Sequence, residues 1–297
     1  MGRLEPDRGF EERPGAPLRP LPAGLPEKYP PTSVGRAGGD AYPDQQPSPN
    51  QYRQPERVHR SRLDATAIKA LVDVGTFRAL TLSDLARYHY QGNAGQALQA
   101  MNQLVRQGLI EYRTTRPGPI TYVALTPQGR RSVENLGAGS HPHQQFYDGF
   151  VPSREARHDA ALYRLYQQQS LQIAARNGRV TRIVLELEFK RSIGYRLSGI
   201  GHLTKSEQLE RKQEIAQEHG LKIVNGKIPI PDLRLEYEGP NHEPGKVDLE
   251  LVTENYHRGN LALKAQAGFA MYALPEDAAH LRSAMQDPEI MQDILSL

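Results

Sequence analysis

Apolar residues recur at helical spacing where the folded part of the chain begins. Leu63, Ala67, Leu71 and Val74 lie three or four residues apart, which predicts a first helix that ends at Gly75. A second short helix is expected to follow, with Thr81 or Ser83 as its N-cap. A third apolar stripe runs from 97 to 105 and predicts a helix that ends at Gly108.

Alternating patterns then predict two strands, 109–113 and 120–125, joined by a turn that holds two prolines and a glycine. Thr126 followed by Pro127 is typical of a helix start. Three helices, a hairpin and a further helix are the order of a winged helix-turn-helix, which we predict over 59–137. The phrase Leu-Val-Arg-Gln-Gly-Leu-Ile-Glu (104–111) and the hairpin after it resemble bacterial winged-helix regulators.

Helices and strands alternate in the C-terminal half, and we predict an α/β domain over 154–297. Its expected helices span 154–175, 204–219 and 261–268, with one or two more over 275–297. Its expected strands span 180–190, 221–224, 233–237, 246–252 and 271–274.

The N-terminal segment has a different composition. Residues 1–58 hold 12 of the 23 prolines and no long apolar run, so we expect a disordered arm that cannot bury enough surface to fold. Its Arg-rich end is either a solvated linker or an arm that reaches nucleic acid phosphates. Residues 138–153 are expected to be a linker, in which His141 and His143 are read as loop histidines without a third metal ligand.

Composition excludes several classes of protein. The absence of Cys rules out disulfides, thiolate zinc sites and a Cys nucleophile. The mean hydropathy of -0.64 and the lack of an apolar N-terminal segment argue against a membrane span and a secretory signal, so a cytoplasmic protein is expected.

Charge and side-chain type indicate where DNA would bind. The segment 59–137 has a net charge of +5, whereas the rest of the chain is nearly neutral. Amide and Arg side chains can pair with base edges or phosphates. The candidates on the third helix and hairpin are Asn93, Gln96, Gln99, Asn102, Gln103, Arg106, Arg113 and Arg116. The alternative is a solvated polar face on a protein-interaction module.

An acidic pattern occurs in the C-terminal half. Pro231-Asp232 is followed, after 15 intervening residues, by Asp248-Leu-Glu250 on the next expected strand, a context that resembles the PD-(D/E)XK nuclease fold. Carboxylates on adjacent strands can hold Mg²⁺ or Mn²⁺, which activates a water for attack on phosphate. Strand periodicity places Asp248 and Glu250 on one face. The predicted metal ligands are therefore Asp232, Asp248 and Glu250.

The pattern departs from that family because Glu250 stands where a lysine is expected. Three interpretations stay open: Glu250 serves as ligand or base, Lys264 on the following helix replaces the lysine and completes the catalytic set, or the site is degenerate and only binds DNA. A competing register lies at Glu186-Leu-Glu188-Phe-Lys190, expected on a strand. The acidic residues are also compatible with an ordinary solvated strand edge.

His158-Asp159 opens the helix before the acidic pattern, and Lys264 and Tyr272 follow it. This order, after a winged helix, resembles the bacterial replication-relaxation family of plasmids and integrating elements. The resemblance implies a DNA-binding protein of mobile-element replication or transfer with a PD-(D/E)XK-like second domain, and it does not imply cleavage. His158 is either a metal-site residue or a structural helix-end histidine.

Two hypotheses follow. The first is a double-stranded-DNA-binding protein that acts in plasmid or mobile-element replication, transfer or its regulation, without a cofactor. The second is a Mg²⁺- or Mn²⁺-dependent endonuclease targeted by the winged helix. Double-stranded DNA is the expected partner of both, and a homodimer or contacts with replication proteins are left open.

Overall fold

The computed structural model of the 297-residue chain describes residues 63–115, 119–137, 143–253, 256, 258–275, 277 and 294–296. The expected arm over 1–58, Arg116 at the hairpin tip and His141 in the linker lie outside these described residues.

The N-terminal half contains the helices and hairpin that the apolar spacing predicts. Its elements are α1 (Ala65–Phe77), β1 (Leu80–Thr81), α2 (Leu82–His89), α3 (Ala94–Arg106), β2 (Ile110–Thr115), β3 (Ile120–Leu125) and α4 (Pro127–Gly137). The strands form an antiparallel sheet in the order β1-β3-β2. Three helices followed by a hairpin that pairs with a short strand after the first helix make a winged helix-turn-helix, whose β2–β3 hairpin is the wing. The two-residue β1 was not predicted, since it is too short to show an alternation.

Side-chain caps fix the starts of these helices. Asp64, Thr81 and Asn93 each accept a hydrogen bond from the backbone N–H three residues on, at the starts of α1, α2 and α3. Thr126 does the same for Gly129 before α4. Gly129 also lets α4 lie close to the start of the wing, because a Cβ at this position would collide with the Leu109 carbonyl.

The C-terminal half is built around a five-stranded sheet. Its elements are α5 (Ser153–Ala175), β4 (Arg179–Leu185), α6 (Glu186–Ser198), α7 (Lys205–Glu218), β5 (Leu233–Glu238), β6 (Pro244–Val252), α8 (Arg258–Ala267), β7 (Ala270–Ala273) and β8 (Ile294–Ser296). The strand order is β4-β5-β6-β7-β8. The first three strands pair antiparallel, and β6, β7 and β8 pair parallel. Within the described residues, no helix is long and apolar enough to cross a bilayer.

Three expected strands or helices differ in the structure. The segment 180–190 is a strand only as far as Leu185 and continues as α6, so its charged end follows a helical period rather than an alternating one. The segment 221–224 makes only a single bridge, from Val224 to Lys227. The chain end was expected to be helical, but 294–296 form β8, which adds to the sheet edge.

The two faces of the large sheet pack against different helices. Leu233, Leu235, Leu249 and Leu251 alternate along β5 and β6 and join the core that includes α5. A second core lies on the other side of the sheet. It includes apolar residues of α6, of α7 and of the position before β7, among them Phe189, Ile215 and Phe269. The sheet is therefore covered on both faces.

The winged helix and α5 share a continuous core. Tyr163 of α5 is fully buried, and its ring lies 5.2 Å from Phe77 and 5.4 Å from Tyr88, edge-to-face in both cases. Its hydroxyl donates to Asp73 of α1 at 2.9 Å and lies 3.1 Å from His89 of α2. The buried hydroxyl thus finds partners in the winged helix, which couples the two halves.

We predict that Phe77→Ala lowers the free energy of unfolding by about 3–5 kcal/mol, because it opens a cavity at this shared core. Urea unfolding followed by circular dichroism and by tyrosine fluorescence should show one transition that moves as a whole. Leu171→Ala, at a side chain that is 70% exposed, is the control and should leave the midpoint nearly unchanged. Two separate transitions, with only the first one shifted, would contradict a common core.

Candidate nucleic-acid interface and carboxylate cluster

The outward face of α3 is polar, open and free of carboxylates. Its buried residues are Ala97, Met101 and Leu104, which hold the helix against the winged-helix core. The opposite face exposes Gln96, Gln99, Gln103 and Arg106, spaced by three, four and three residues. These spacings place the four side chains along one stripe of the helix. None of these four side chains forms a hydrogen bond or an ion pair with another of the described residues.

The two asparagines among the candidates have internal roles. The Asn93 side chain accepts a hydrogen bond from the backbone N–H of Gln96 at 3.0 Å and caps α3. The Asn102 side chain is half-buried and accepts a hydrogen bond from the Tyr112 hydroxyl of the wing at 3.3 Å. Their carbonyl oxygens therefore position the helix and the wing, which leaves the glutamines and Arg106 as the free polar groups.

Arg113 lies on the wing strand β2 and is exposed. Its guanidinium lies 4.5 Å from the centre of the Phe150 ring, a cation–π contact that orients it without neutralising its charge. Arg116, predicted at the tip of the wing, lies outside the described residues.

Asp232 and Glu250 are brought together at the start of β5. Leu233 pairs with Leu249, so Glu250 stands beside Asp232 one position further. The Glu250 carboxylate accepts a hydrogen bond from the backbone N–H of Asp232 at 3.2 Å, and the Asp232 carboxylate accepts one from Leu251 at 2.9 Å. Position 252, two residues after Glu250, is a fully buried valine.

Lys264 reaches this pair from α8. Its ammonium lies 2.7 Å from Glu250 and donates a hydrogen bond to the Ile230 carbonyl at 2.5 Å. The hydroxyl of Tyr256 also donates to Glu250. The structure thus joins Asp232, Glu250 and Lys264, as expected if the lysine of the pattern has moved to the next helix.

Burial dominates the electrostatics of Glu250, which has no exposed surface. Burial and the nearby charge of Asp232 raise the pKa of Glu250 to about 7, against the lowering effect of Lys264 and Tyr256. Lys264 therefore acts chiefly as a buried counter-charge.

The grouping of Asp248 with the other two carboxylates requires correction. Asp248 shares a face of β6 with Glu250, but both of its oxygens bind Arg234 of the neighbouring strand, at 2.5 and 2.8 Å. The Arg234 guanidinium also stacks over Phe189, 4.8 Å from the ring centre, and donates to the His219 carbonyl. This paired arrangement makes Asp248 a structural residue of the sheet.

The competing register at 186–190 also requires correction, because these residues form the start of α6. Glu186 and Lys190 pair with each other at 2.7 Å along the helix. Glu188 turns the other way and pairs with Arg182 at 2.9 Å. Because both residues lie in a helix, positions two residues apart point to roughly opposite sides, so the two glutamates do not form an acidic strand face.

A pocket of about 960 Å³ lies beside the start of α5, where β4 passes into α6 and β6 ends. Its wall includes Arg78 after α1, Lys190 of α6, and His158 near the start of α5. Asp232 also lines it, and the His158 ring lies 3.5 Å from that carboxylate and 3.9 Å from Asp159. Burial alone would lower the pKa of His158, but hydrogen bonds and charge from Asp159 and Asp232 outweigh it and raise the pKa to about 10.

These carboxylates do not fit a divalent cation in the arrangement that the structure shows. Glu250 is fully buried with both oxygens already accepting hydrogen bonds, and Asp248 is bound by Arg234. Among the described residues, no three His, Asp or Glu side chains are grouped as metal ligands. Each carboxylate of the predicted metal set has instead a cationic side chain of the protein beside it.

Sequence reasoning named Lys264 and His158 but missed two arginines, Arg234 and Arg78, that also pair with these carboxylates. Arg234 follows Asp232 by two residues, but only the strand register reveals that it stands opposite Asp248. Arg78 is distant in sequence from Asp159, which it approaches at 3.3 Å. No local pattern signals such long-range pairs, although the His158-Asp159 pair was visible as a motif.

We predict that stability falls as the pH rises from about 6.5 toward 10. The folded-state pKa of His158 is raised to about 10 from its ordinary 6.5, so its stabilising contribution is complete below 6.5 and is lost as the pH approaches 10. The melting temperature of His158→Gln should therefore be lower than that of the unsubstituted protein at pH 7 and should fall less between pH 6.5 and 10. His202→Gln, at an exposed histidine, is the control. Equal pH profiles for His158→Gln and the unsubstituted protein would show that His158 is not held as a cation.

Comparisons with known proteins identify three DNA complexes among the similar structures. They are Streptococcus pneumoniae FabT with DNA (18% identity, 36% of this chain, 75% of that chain, TM-score 0.23), a MarR mutant from E. coli with operator DNA (17%, 35%, 73%, 0.22) and Bacillus subtilis PadR with operator DNA (16%, 52%, 90%, 0.21). TM-scores of this size do not establish a common overall fold. No protein-family model matches the chain, and no curated protein matches it significantly.

Proposed function

We propose that this protein binds double-stranded DNA, with α3 in the major groove and the wing against the backbone. The observation that carries the proposal is the outward face of α3. It presents three glutamines and an arginine without a carboxylate among them, and a folded helix of this width fits the major groove.

Charge around the helix supports this orientation. Arg106 ends α3, and Arg113 stands on the adjacent wing, so basic groups flank the polar stripe. Phosphates lie on both sides of the major groove, where such flanking cations would bind them. Two acidic residues of the winged helix are engaged elsewhere: Asp73 accepts a hydrogen bond from Tyr163, and Asp84 lies 3.1 Å from Arg164 of α5. Glu111, in contrast, is exposed on the wing strand β2.

We further propose that this binding serves plasmid or mobile-element replication, transfer or its regulation. The support is the order of a winged helix, a His-Asp helix and a Pro-Asp strand followed by Lys264 and Tyr272, which resembles the replication-relaxation family. In this proposal the C-terminal sheet is a structural or accessory part, because its carboxylates are compensated by the protein's own cations.

We predict that the full chain retards duplex DNA and that Arg106→Ala weakens binding about tenfold. The affinity should fall steeply as salt rises from 50 to 200 mM, since phosphate contacts release counterions. Fluorescence anisotropy with a labelled 30-base-pair duplex measures both effects.

The matched control is Arg176→Ala, which removes an exposed arginine just after α5, far along the chain from α3. It should bind DNA as the unsubstituted protein does. Equal losses in the two variants, or an affinity that does not respond to salt, would refute the proposed interface.

The endonuclease is a second candidate function, and two observations favour it. The order α5, β4, β5, β6, α8, β7 supports a PD-(D/E)XK-like assignment, with α6 and α7 inserted between the first two strands. Asp232, Glu250 and Lys264 also converge where two strands meet α8, which is compatible with the site that the resemblance to PD-(D/E)XK nucleases implies. The burial of Glu250 and the hydrogen bonds to both of its oxygens weigh against the candidate.

We predict that supercoiled plasmid is shifted on a gel but not nicked, with or without millimolar Mg²⁺ or Mn²⁺. Asp232→Asn should shift the plasmid to the same extent, because Asp232 lies outside the proposed DNA interface. Metal-dependent nicking that disappears in Asp232→Asn would instead establish the endonuclease and show that the carboxylates rearrange on binding.

A further inference from the structure

We infer that α3 reads A·T base pairs, so that the preferred ligand of this protein is an A·T-rich duplex. The inference rests on the proposed DNA binding and adds the chemical class of the sequence that is recognised. It follows from the types of side chain that α3 exposes and from those it lacks.

The glutamines are the free polar groups in the middle of the helix. Gln96, Gln99 and Gln103 are exposed, and no recorded interaction within the described residues engages their side-chain amides. Asn93 and Asn102 are already bound within the protein, as cap and as acceptor for Tyr112. The only charged residue of α3 is Arg106, in its last turn.

Two exposed apolar side chains lie to one side of the glutamines. Leu98 is 44% exposed and Val105 is 37% exposed, although both could contribute more to stability if they were buried. They are seven residues apart and therefore share one line along α3, about a quarter of a turn around the helix from Gln99 and Arg106. The exposed surface of α3 thus presents amides and, to one side of them, methyl groups.

This mixture matches the major-groove edge of an A·T pair. An amide side chain both donates and accepts, and adenine presents one acceptor and one donor there, so the two can form paired hydrogen bonds. The thymine methyl group gains from apolar contact. Guanine presents two acceptors and is best bound by Arg or Lys, whereas cytosine presents a donor that suits Asp or Glu. None of these four residue types occurs in the middle of α3.

The spacing sets the length of the recognised run. Gln96 and Gln103 are seven residues apart, which is about 10 Å along a helix at ~1.5 Å per residue. Base pairs stack at about 3.4 Å, so the stripe spans roughly three steps. We therefore expect an A·T run of about three to four base pairs under each copy of α3.

The experiment selects duplexes from a randomised pool with the full chain and sequences the retained fraction. A·T-rich runs should be enriched, and a duplex with the selected run should bind about tenfold more tightly than one with G·C pairs at the same positions. Replacing thymine by uracil in the selected duplex removes the methyl group without changing base pairing and should weaken binding.

Gln99→Arg tests whether the glutamines carry the preference. Arginine favours helix as glutamine does, so α3 should keep its structure, and the selected run should acquire a G·C pair at one position. The matched control is Gln172→Arg, which adds the same charge at an exposed position of α5 and should leave the selected run unchanged.

The outcomes separate this inference from the proposed function. If the full chain retains no duplex, the proposed DNA binding itself fails. If duplexes are retained but G·C-rich runs or no runs are enriched, DNA binding stands and the A·T inference is overturned. An A·T preference that persists unchanged in Gln99→Arg would place recognition in groove shape rather than in α3, and would overturn it as well.

Discussion

The burial of Tyr163 is the constraint on which the arrangement of this protein depends. A phenol at the centre of a core needs a partner for its hydroxyl, and Tyr163 finds it in Asp73 and His89 of the winged helix. Its ring meanwhile fills the space beside Phe77. The long helix α5 therefore packs against both the winged helix and the large sheet. One side of it completes the winged-helix core, and the other covers the sheet.

Because α5 packs on both neighbours, its first turns lie close to the start of β5. His158 and Asp159 there meet Asp232 from β5 and Arg78 from the end of α1. Carboxylates in such a place must be compensated, because an unpaired buried charge is costly. Here the compensation comes from side chains, with His158 beside Asp232, Lys264 beside Glu250 and Arg234 beside Asp248. The carboxylates at this end of the sheet are thereby compensated by side chains of the same chain.

The outer face of α3 contrasts with this compensated interior. Its three exposed glutamines have no partners within the described residues, and Leu98 and Val105 are exposed to one side of them. A rigid helix has no backbone ordering left to undergo on binding, so only the side-chain rotamers of the glutamines must be fixed. The N-cap of Asn93 and the bond between Asn102 and Tyr112 hold that helix in place, so the face is presented by a fixed scaffold.

The sequence by itself determined the local elements and the residues available for chemistry. The apolar period of α1 and α3, the cap at Thr81 and the Thr126-Pro127 helix start gave the winged helix, because these signals act over three to seven residues. The sequence also determined that α3 would expose amides. Only the tertiary structure decided which charges meet. The register that places Glu250 beside Asp232, the pairing of Asp248 with Arg234, and the helical state of 186–190 depend on contacts between distant strands and helices. Strand parity fixes the face on which a side chain lies, but the partner on that face is set by how the strands and helices pack.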